Sequence, residues 1–126
     1  MAQHNETGKK GEDAAAEFLK AAGHEIVVRN YRFGRAEVDI VSKHKGIYVF
    51  SEVKTRASNH FGYPEEFVSK KKMKLMKEAA EEFLYSNQIQ SEIRFDVISI
   101  IIQGNKTEIT HIPDAFFDTN QDSLYN

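Results

Sequence analysis

Two runs, Ala36-Glu37-Val38-Asp39-Ile40-Val41 and Val49-Phe50-Ser51-Glu52-Val53-Lys54-Thr55-Arg56, with the polar turn Lys43-His44-Lys45-Gly46 between them, decide how this chain folds. Both are rich in β-branched and aromatic residues and the turn closes on glycine, so they read as strands from Ala36 to Ser42 and from about Ile47 to Thr55. Side chains alternate faces along a strand. Glu37 and Asp39 therefore share one face of the first strand, with Val38 and Ile40 on the other. Glu52 and Lys54 share a face of the second, with Ser51, Val53 and Thr55 opposite. Pairing the two strands sets Asp39 beside Glu52 and Lys54, two carboxylates and an ammonium in otherwise apolar strands.

Outward from this pair the pattern is regular. Ala14, Ala15, Phe18, Leu19 and Ala22 recur at helical spacing and Gly23 follows as a stop, which predicts a first helix from about Thr7 to Ala22. Glu25 to Asn30 reads as a strand that turns at Phe33-Gly34-Arg35 into the first of the two runs, so three strands form an antiparallel meander. After a loop through Phe61-Gly62-Tyr63-Pro64, Met73, Met76, Ala80, Phe83 and Leu84 mark one face of a helix from Ser69 to Tyr85. Ile93 to Ile102 is a nearly continuous apolar run, the signature of a strand buried on both faces, and Gly104-Asn105 turns it into a last strand from Thr107 to Ile112. The order helix, three strands, helix, two strands predicts an α/β domain over residues 1–117, a central mixed five-stranded sheet flanked by helices, with a polar tail at 118–126.

A chain of 126 residues suits one domain, and 40% hydrophobic residues supply a core, which excludes wholesale disorder. With no cysteine, disulfides, thiolate zinc sites and cysteine nucleophiles are all excluded, and a reducing compartment fits. No apolar run is long enough for a secretory signal or a membrane span, so a cytoplasmic protein without membrane contact is expected. The net charge of −2 hides an asymmetry: residues 29–77 hold 12 Lys and Arg against 5 Asp and Glu, and the remainder holds 5 against 14. A basic block of this kind either solvates a surface or supplies phosphate contacts to a nucleic acid.

The acidic cluster inside that block points to chemistry. A buried carboxylate must be paired, hydrogen-bonded or bound to a cation. Carboxylate oxygens suit hard cations, and Mg2+ takes one or two of them, keeps several waters and completes its shell with a substrate phosphate, which makes a phosphodiester the natural substrate. Mn2+ accepts the same ligands. Asp39 and Glu52 are the candidate ligands, and Lys54 can position an attacking water or steady charge in the transition state. The alternative is a structural cluster of Asp, Glu and Lys ion pairs.

Five pieces then occur in order: Gly8-Lys9-Lys10-Gly11-Glu12-Asp13-Ala14-Ala15, Arg29-Asn30-Tyr31-Arg32, the two runs quoted above, and Arg94-Phe95-Asp96-Val97-Ile98. With Phe61-Gly62 and His111-Ile112-Pro113-Asp114-Ala115-Phe116 they cover nearly the whole chain, and together they resemble the YraN family of small bacterial proteins. That family is similar to the restriction-endonuclease-like superfamily, with an Asp on one strand and Glu-x-Lys on the next, and especially to archaeal Holliday junction resolvases. The resemblance implies a restriction-endonuclease-like fold in which Asp39 and Glu52 bind the metal, Lys54 is the catalytic lysine and Glu12 is a further acidic residue reaching in from the first helix. Glu37 ranks second. Working as a homodimer on branched DNA is expected by the same analogy. Two positions depart from the family pattern: Ala36 stands where Gly is commoner, and Ser51 stands where an apolar residue usually precedes Glu-Val-Lys, which suggests a less deeply buried strand face.

The remaining features divide between plain and functional roles. His4, His24, His44, His60 and His111 match no zinc spacing and read as surface or structural residues, with His60 a loop residue able to approach substrate. Gly8-Lys9-Lys10-Gly11 follows no strand and reads as helix initiation beside Glu12 rather than a phosphate loop. Lys70, Lys71, Lys72, Lys74 and Lys77 open the second helix, either as a solvated face or, with Arg32 and Arg56, as a ridge that tracks DNA phosphates. Asp96, beside Arg94 on a buried strand, reads as a structural hydrogen-bonding residue. Two functions follow: a Mg2+- or Mn2+-dependent DNA endonuclease, or a nucleic-acid-binding protein of the same fold with weak or no catalysis.

Overall fold

The computed structural model describes residues 2–57 and 68–116. Its elements are α1 (Ala2–Ala21), β1 (Glu25–Phe33), β2 (Ala36–His44), β3 (Ile47–Arg56), α2 (Lys70–Ser86), β4 (Ile93–Gln103) and β5 (Lys106–Ile112). The five strands form one sheet in the order β1-β2-β3-β4-β5, antiparallel throughout except for the parallel pair β3 and β4. This is the α/β layout that the sequence predicts. The loop through Phe61-Gly62-Tyr63-Pro64, His60 and the tail at 118–126 lie outside the described residues. Among the described residues no helix is long and apolar enough to cross a membrane.

Each helix covers one face. Under α2, Met76, Ala79, Ala80 and Phe83 pack with Val38, Val41, Phe50, Phe95, Val97 and Phe116. Under α1, Ala15, Ala16 and Leu19 pack with Ile40, Ile98 and Ile100. The β4 strand contributes to both clusters, which is why its sequence is apolar without alternation. Each large side chain buried in this way contributes about 1.5–3 kcal/mol. The β2–β3 hairpin turns on Lys45 and Gly46, both at positive φ (51° and 81°), with His44 paired to Ile47, the two-residue geometry whose twist matches that of the flanking strands.

The α1 helix begins at Ala2, so Gly8 and Gly11 lie within it rather than at its start. Gly11 has a packing reason instead: a Cβ there would come within 1.9 Å of the Thr55 hydroxyl oxygen and 2.8 Å of Thr55 Cβ. Only glycine lets the helix backbone approach β3 so closely. Ser51 is likewise unlike its expectation, being 0% exposed on the α1 side of β3, with its hydroxyl lacking a hydrogen-bond partner among the described residues. The face is deeply buried.

Beneath α1 a polar network joins the strand ends. Asp96 is fully buried and accepts from Arg94 Nε and Nη2 (2.8 and 2.9 Å), His111 Nε2 (2.7 Å) and the Asp114 amide (3.0 Å). Burial pushes its carboxyl up, but these hydrogen bonds and the Arg94 charge more than reverse that and hold it below the ordinary carboxylate range. Asp96 is structural, as its sequence setting suggests. His24 Nδ1 lies 2.8 Å from Ser42 Oγ, and its ring stacks on His44 at 4.2 Å.

Gly11→Ala, which raises helix propensity by about 1 kcal/mol at an open site, is expected here to lower stability by roughly 1–3 kcal/mol through overpacking. An unchanged or raised urea midpoint would contradict the close approach. His24 gives a pH signature. Burial, then the positive charges of His44, Arg94 and His111, lower its pKa from 6.5 to about 4 against the opposing pull of Asp96. The unfolded chain takes up this proton below 6.5 and the folded chain does not, so stability falls as pH drops from 6.5 toward 4, by about 2–3 kcal/mol from this group. His24→Gln is expected to flatten that limb of the stability profile.

Candidate functional site

The site forms where β2 and β3 part. Their pairing runs from His44 with Ile47 to Ile40 with Ser51 and goes no further, and Asp39 and Glu52 come next along each strand. Strict alternation fails on β2 at this point. Val38 packs in the α2 cluster and Ile40 in the α1 cluster, so the strand changes face at Asp39 instead of keeping Val38 and Ile40 together. The neighbouring strand changes with it: Val28 and Tyr31 both pack toward α2, and Asn30 between them is in the left-handed region at φ 57°. With the ladder interrupted, the Asp39 carboxylate accepts the Val53 amide through Oδ2 at 2.7 Å.

Alternation does hold on β3. Val53 packs toward α1 and Thr55 lies against Gly11, whereas Tyr48 and Phe50 face α2. Glu52 and Lys54 therefore face α2. Glu52 is 5% exposed, with Lys54 Nζ 3.4 Å from its Oε2 and Lys72 Nζ 3.4 Å from its Oε1. Among the described residues Oε1 is nevertheless without a hydrogen bond, because the Lys72 ammonium stands at ion-pair distance but off the direction a hydrogen bond requires. Burial, then the adjacent Glu52 charge and to a lesser extent Glu37, raise Asp39 to about 7 against the Val53 amide and Lys72, which pull it down. Two carboxylates crowded in this way, one with an unfilled buried lone pair, fit a hard divalent cation better than they fit each other.

The other expected residues are placed less closely. Glu12 Oε2 accepts from Arg29 Nε at 2.7 Å and Asn30 Nδ2 at 3.1 Å, and Asp13 takes the other arm of Arg29. The structure thus commits Glu12 to an ion pair over β1. Among the described residues no group of three or more acidic or histidine side chains is gathered to hold an ion, and Asp39 with Glu52 are the two expected ligands whose charges act on each other. Glu37 pairs with Arg32, whose side chain is 74% exposed. Lys70, Lys71 and Lys74 are exposed, Arg56 ends β3, and Lys72 is turned inward. Lys72 lies in the carboxylate site, at ion-pair distance from Glu52. Its helical spacing to Met76 and Phe83 held the signal, since a lysine on the apolar stripe needs an acidic partner.

The family model described as uncharacterised protein family UPF0102 matches residues 11–100, which includes Asp39, Glu52, Lys54 and Lys72. The chain belongs to this family. It is 44% identical over 117 residues to a UPF0102 protein of Christiangramia forsetii, covering 93% of this chain and 98% of the relative. UPF0102 proteins of Flavobacterium psychrophilum, at 43% over 117 residues, and Bacteroides thetaiotaomicron, at 42% over 117 residues, cover 93% of the chain as well, and 98% and 97% of the relatives. UPF0102 is the YraN family that the sequence motifs resemble. The family name carries no reaction with it, so function rests on the site.

Asp39 supplies a test that needs no substrate. Its pKa is raised above 3.8 to about 7, so the folded protein holds this proton longer than the unfolded chain and loses stability as pH rises through that window. Asp39→Asn keeps an oxygen for the Val53 amide and removes the charge. It is expected to raise the melting temperature by several degrees at pH 8 in EDTA, on the order of 1–3 kcal/mol after discounting for the partial exposure of the group. The gain should vanish near pH 4. A lower melting temperature at pH 8 would mean that the carboxylate is a stabilising structural group.

Proposed function

We propose that this UPF0102 protein is a Mg2+- or Mn2+-dependent endonuclease that hydrolyses DNA phosphodiesters, with branched or structured DNA as its substrate class. The observation that carries the reading is the buried, under-coordinated Glu52 carboxylate beside Asp39, with Lys54 on the same strand face. Asp39 and Glu52 would hold the cation, whose contribution when bound is to neutralise charge on the phosphate and make an attacking water more acidic. Asp39 is held in place by the Val53 amide, so its carboxylate is oriented before any ligand arrives. Lys54, 29% exposed at its side chain, reaches from Glu52 toward solvent and can donate to the attacking water or to a phosphate oxygen. The exposed Lys70, Lys71 and Lys74 at the start of α2 supply charge for the flanking phosphates, with Arg32 and Arg56 as further contacts. A homodimer would present two such sites to opposed strands.

One observation favours the second reading, a nucleic-acid-binding protein with weak or no catalysis. The acidic cluster has only two carboxylates among the described residues, and two ammonium groups already neutralise Glu52.

Incubation with linear, single-stranded, flapped and four-way DNA in Mg2+, Mn2+ or EDTA separates the two. Cleavage should require the cation and fall about a hundredfold or more in Asp39→Ala and Lys54→Ala, with DNA binding retained. Binding with no cleavage on any substrate selects the second reading, and the absence of both rejects the two together. Replacing Lys70, Lys71 and Lys74 with glutamate should weaken binding and flatten its dependence on salt.

A further inference from the structure

Lys72 occupies a position that ordinary helix packing would give to an apolar residue. It stands four residues before Met76 and eleven before Phe83, on the buried stripe of α2, while Lys70 and Lys71 of the same turn are exposed. The Ser69 hydroxyl caps this turn by accepting the Lys72 amide at 3.1 Å, so the backbone that carries the side chain is fixed. From there the ammonium reaches Glu52 Oε1 at 3.4 Å without filling its lone pair, and Lys54 holds Oε2 at the same distance.

We propose that Lys72 is a resident competitor for the cation on Glu52, a positioning residue that makes cation loading depend on an incoming phosphate. The inference rests on the nuclease reading above. A divalent cation and an ammonium cannot share one carboxylate oxygen without strong repulsion, so cation entry at Oε1 must expel the Lys72 head. The four-carbon stem lets that head swing while the capped turn stays in place. Its natural destination is an anionic oxygen of the substrate, because the movement that uncovers Glu52 takes the ammonium from its carboxylate partner, and a phosphate oxygen arriving at the site replaces that partner. Cation and phosphodiester then bind cooperatively through one lysine, each favouring the state that the other requires. Without DNA, the site rests with its charges balanced and its cation affinity low.

The test is Mn2+ binding to the full-length protein without DNA, followed by electron paramagnetic resonance. Lys72→Met should bind Mn2+ about tenfold more tightly than the natural protein, as expected for removal of roughly 1.4 kcal/mol of competition. Lys72→Arg, which keeps the charge, should resemble the natural protein. A structural role predicts the opposite, since losing a partner of a buried carboxylate loosens the site. Equal or weaker Mn2+ binding by Lys72→Met overturns the inference. A second measurement needs no variant at that position: in the natural protein with 13C-methylated lysines, Mg2+ should shift the Lys72 resonance and leave Lys43, which lies over the Tyr48 ring, unmoved. A Lys72 signal that stays fixed as Mg2+ saturates overturns the inference even if Lys72→Met does not fold. Absence of cation-dependent cleavage in the DNA assay above removes the nuclease reading itself, whereas cleavage that persists while Lys72→Met binds Mn2+ no more tightly than the natural protein overturns the Lys72 inference alone, which distinguishes the two failures.

Discussion

The parallel pairing of β3 with β4 constrains everything around it. Two consecutive parallel strands cannot be joined by a tight turn, so the chain leaves β3 at Arg56 and returns to start β4 at Ile93 beside Tyr48, crossing the sheet through α2. The helix packs over β2 and β1, and its first turn reaches Glu52 of β3 through the Lys72 side chain. A lysine in that first turn meets Glu52 for this reason. Sites at the carboxyl ends of parallel strands recur in α/β proteins on the same geometric ground. Here the location follows from one strand pair and the crossover it forces.

Two buried acidic groups in this sheet have opposite fates, and the contrast is informative. Asp96 is surrounded by donors that together overcome its burial, so its charge stabilises the union of β4 with β5 and the turn beyond. Asp39 receives one amide and faces Glu52, and burial and repulsion dominate. A fold that can satisfy one buried carboxylate this fully has the means to satisfy another. Asp39, left with one donor beside Glu52, carries a cost that the cation of the proposed nuclease reading would relieve.

The elements were legible in the sequence because hydrophobic periodicity and glycine turns are local signals. The element order, the meander, the doubly buried β4 and the structural nature of Asp96 all follow from patterns within a dozen residues. What was not legible depended on departures from ideal geometry or on distant contacts. Period-two alternation put Val38 and Ile40 on one face, and nothing in the residues announced that β2 would change face at Asp39 in step with the left-handed Asn30 on β1. Gly11 read as part of a helix start because its reason, Thr55, is 44 positions away. Glu12 followed from the family motif, but Arg29 and Asn30 hold it over β1. Lys72 was hidden within a run of lysines whose exposed members set the expectation for all of them.

The irregularity of β1 has a consequence beyond the site. Among the described residues β1 is an outer strand of the sheet, and it carries the half-exposed Val27 and Phe33. A flat rim of that kind would template the addition of a foreign strand. The register of β1 instead slips between Ile26 and Val28, and Asn30 turns through the left-handed region four residues after Ile26. No straight segment longer than a few residues presents its amides and carbonyls in sequence. The kink that turns Asp39 between the two faces thus also blunts the rim against the addition of a foreign strand.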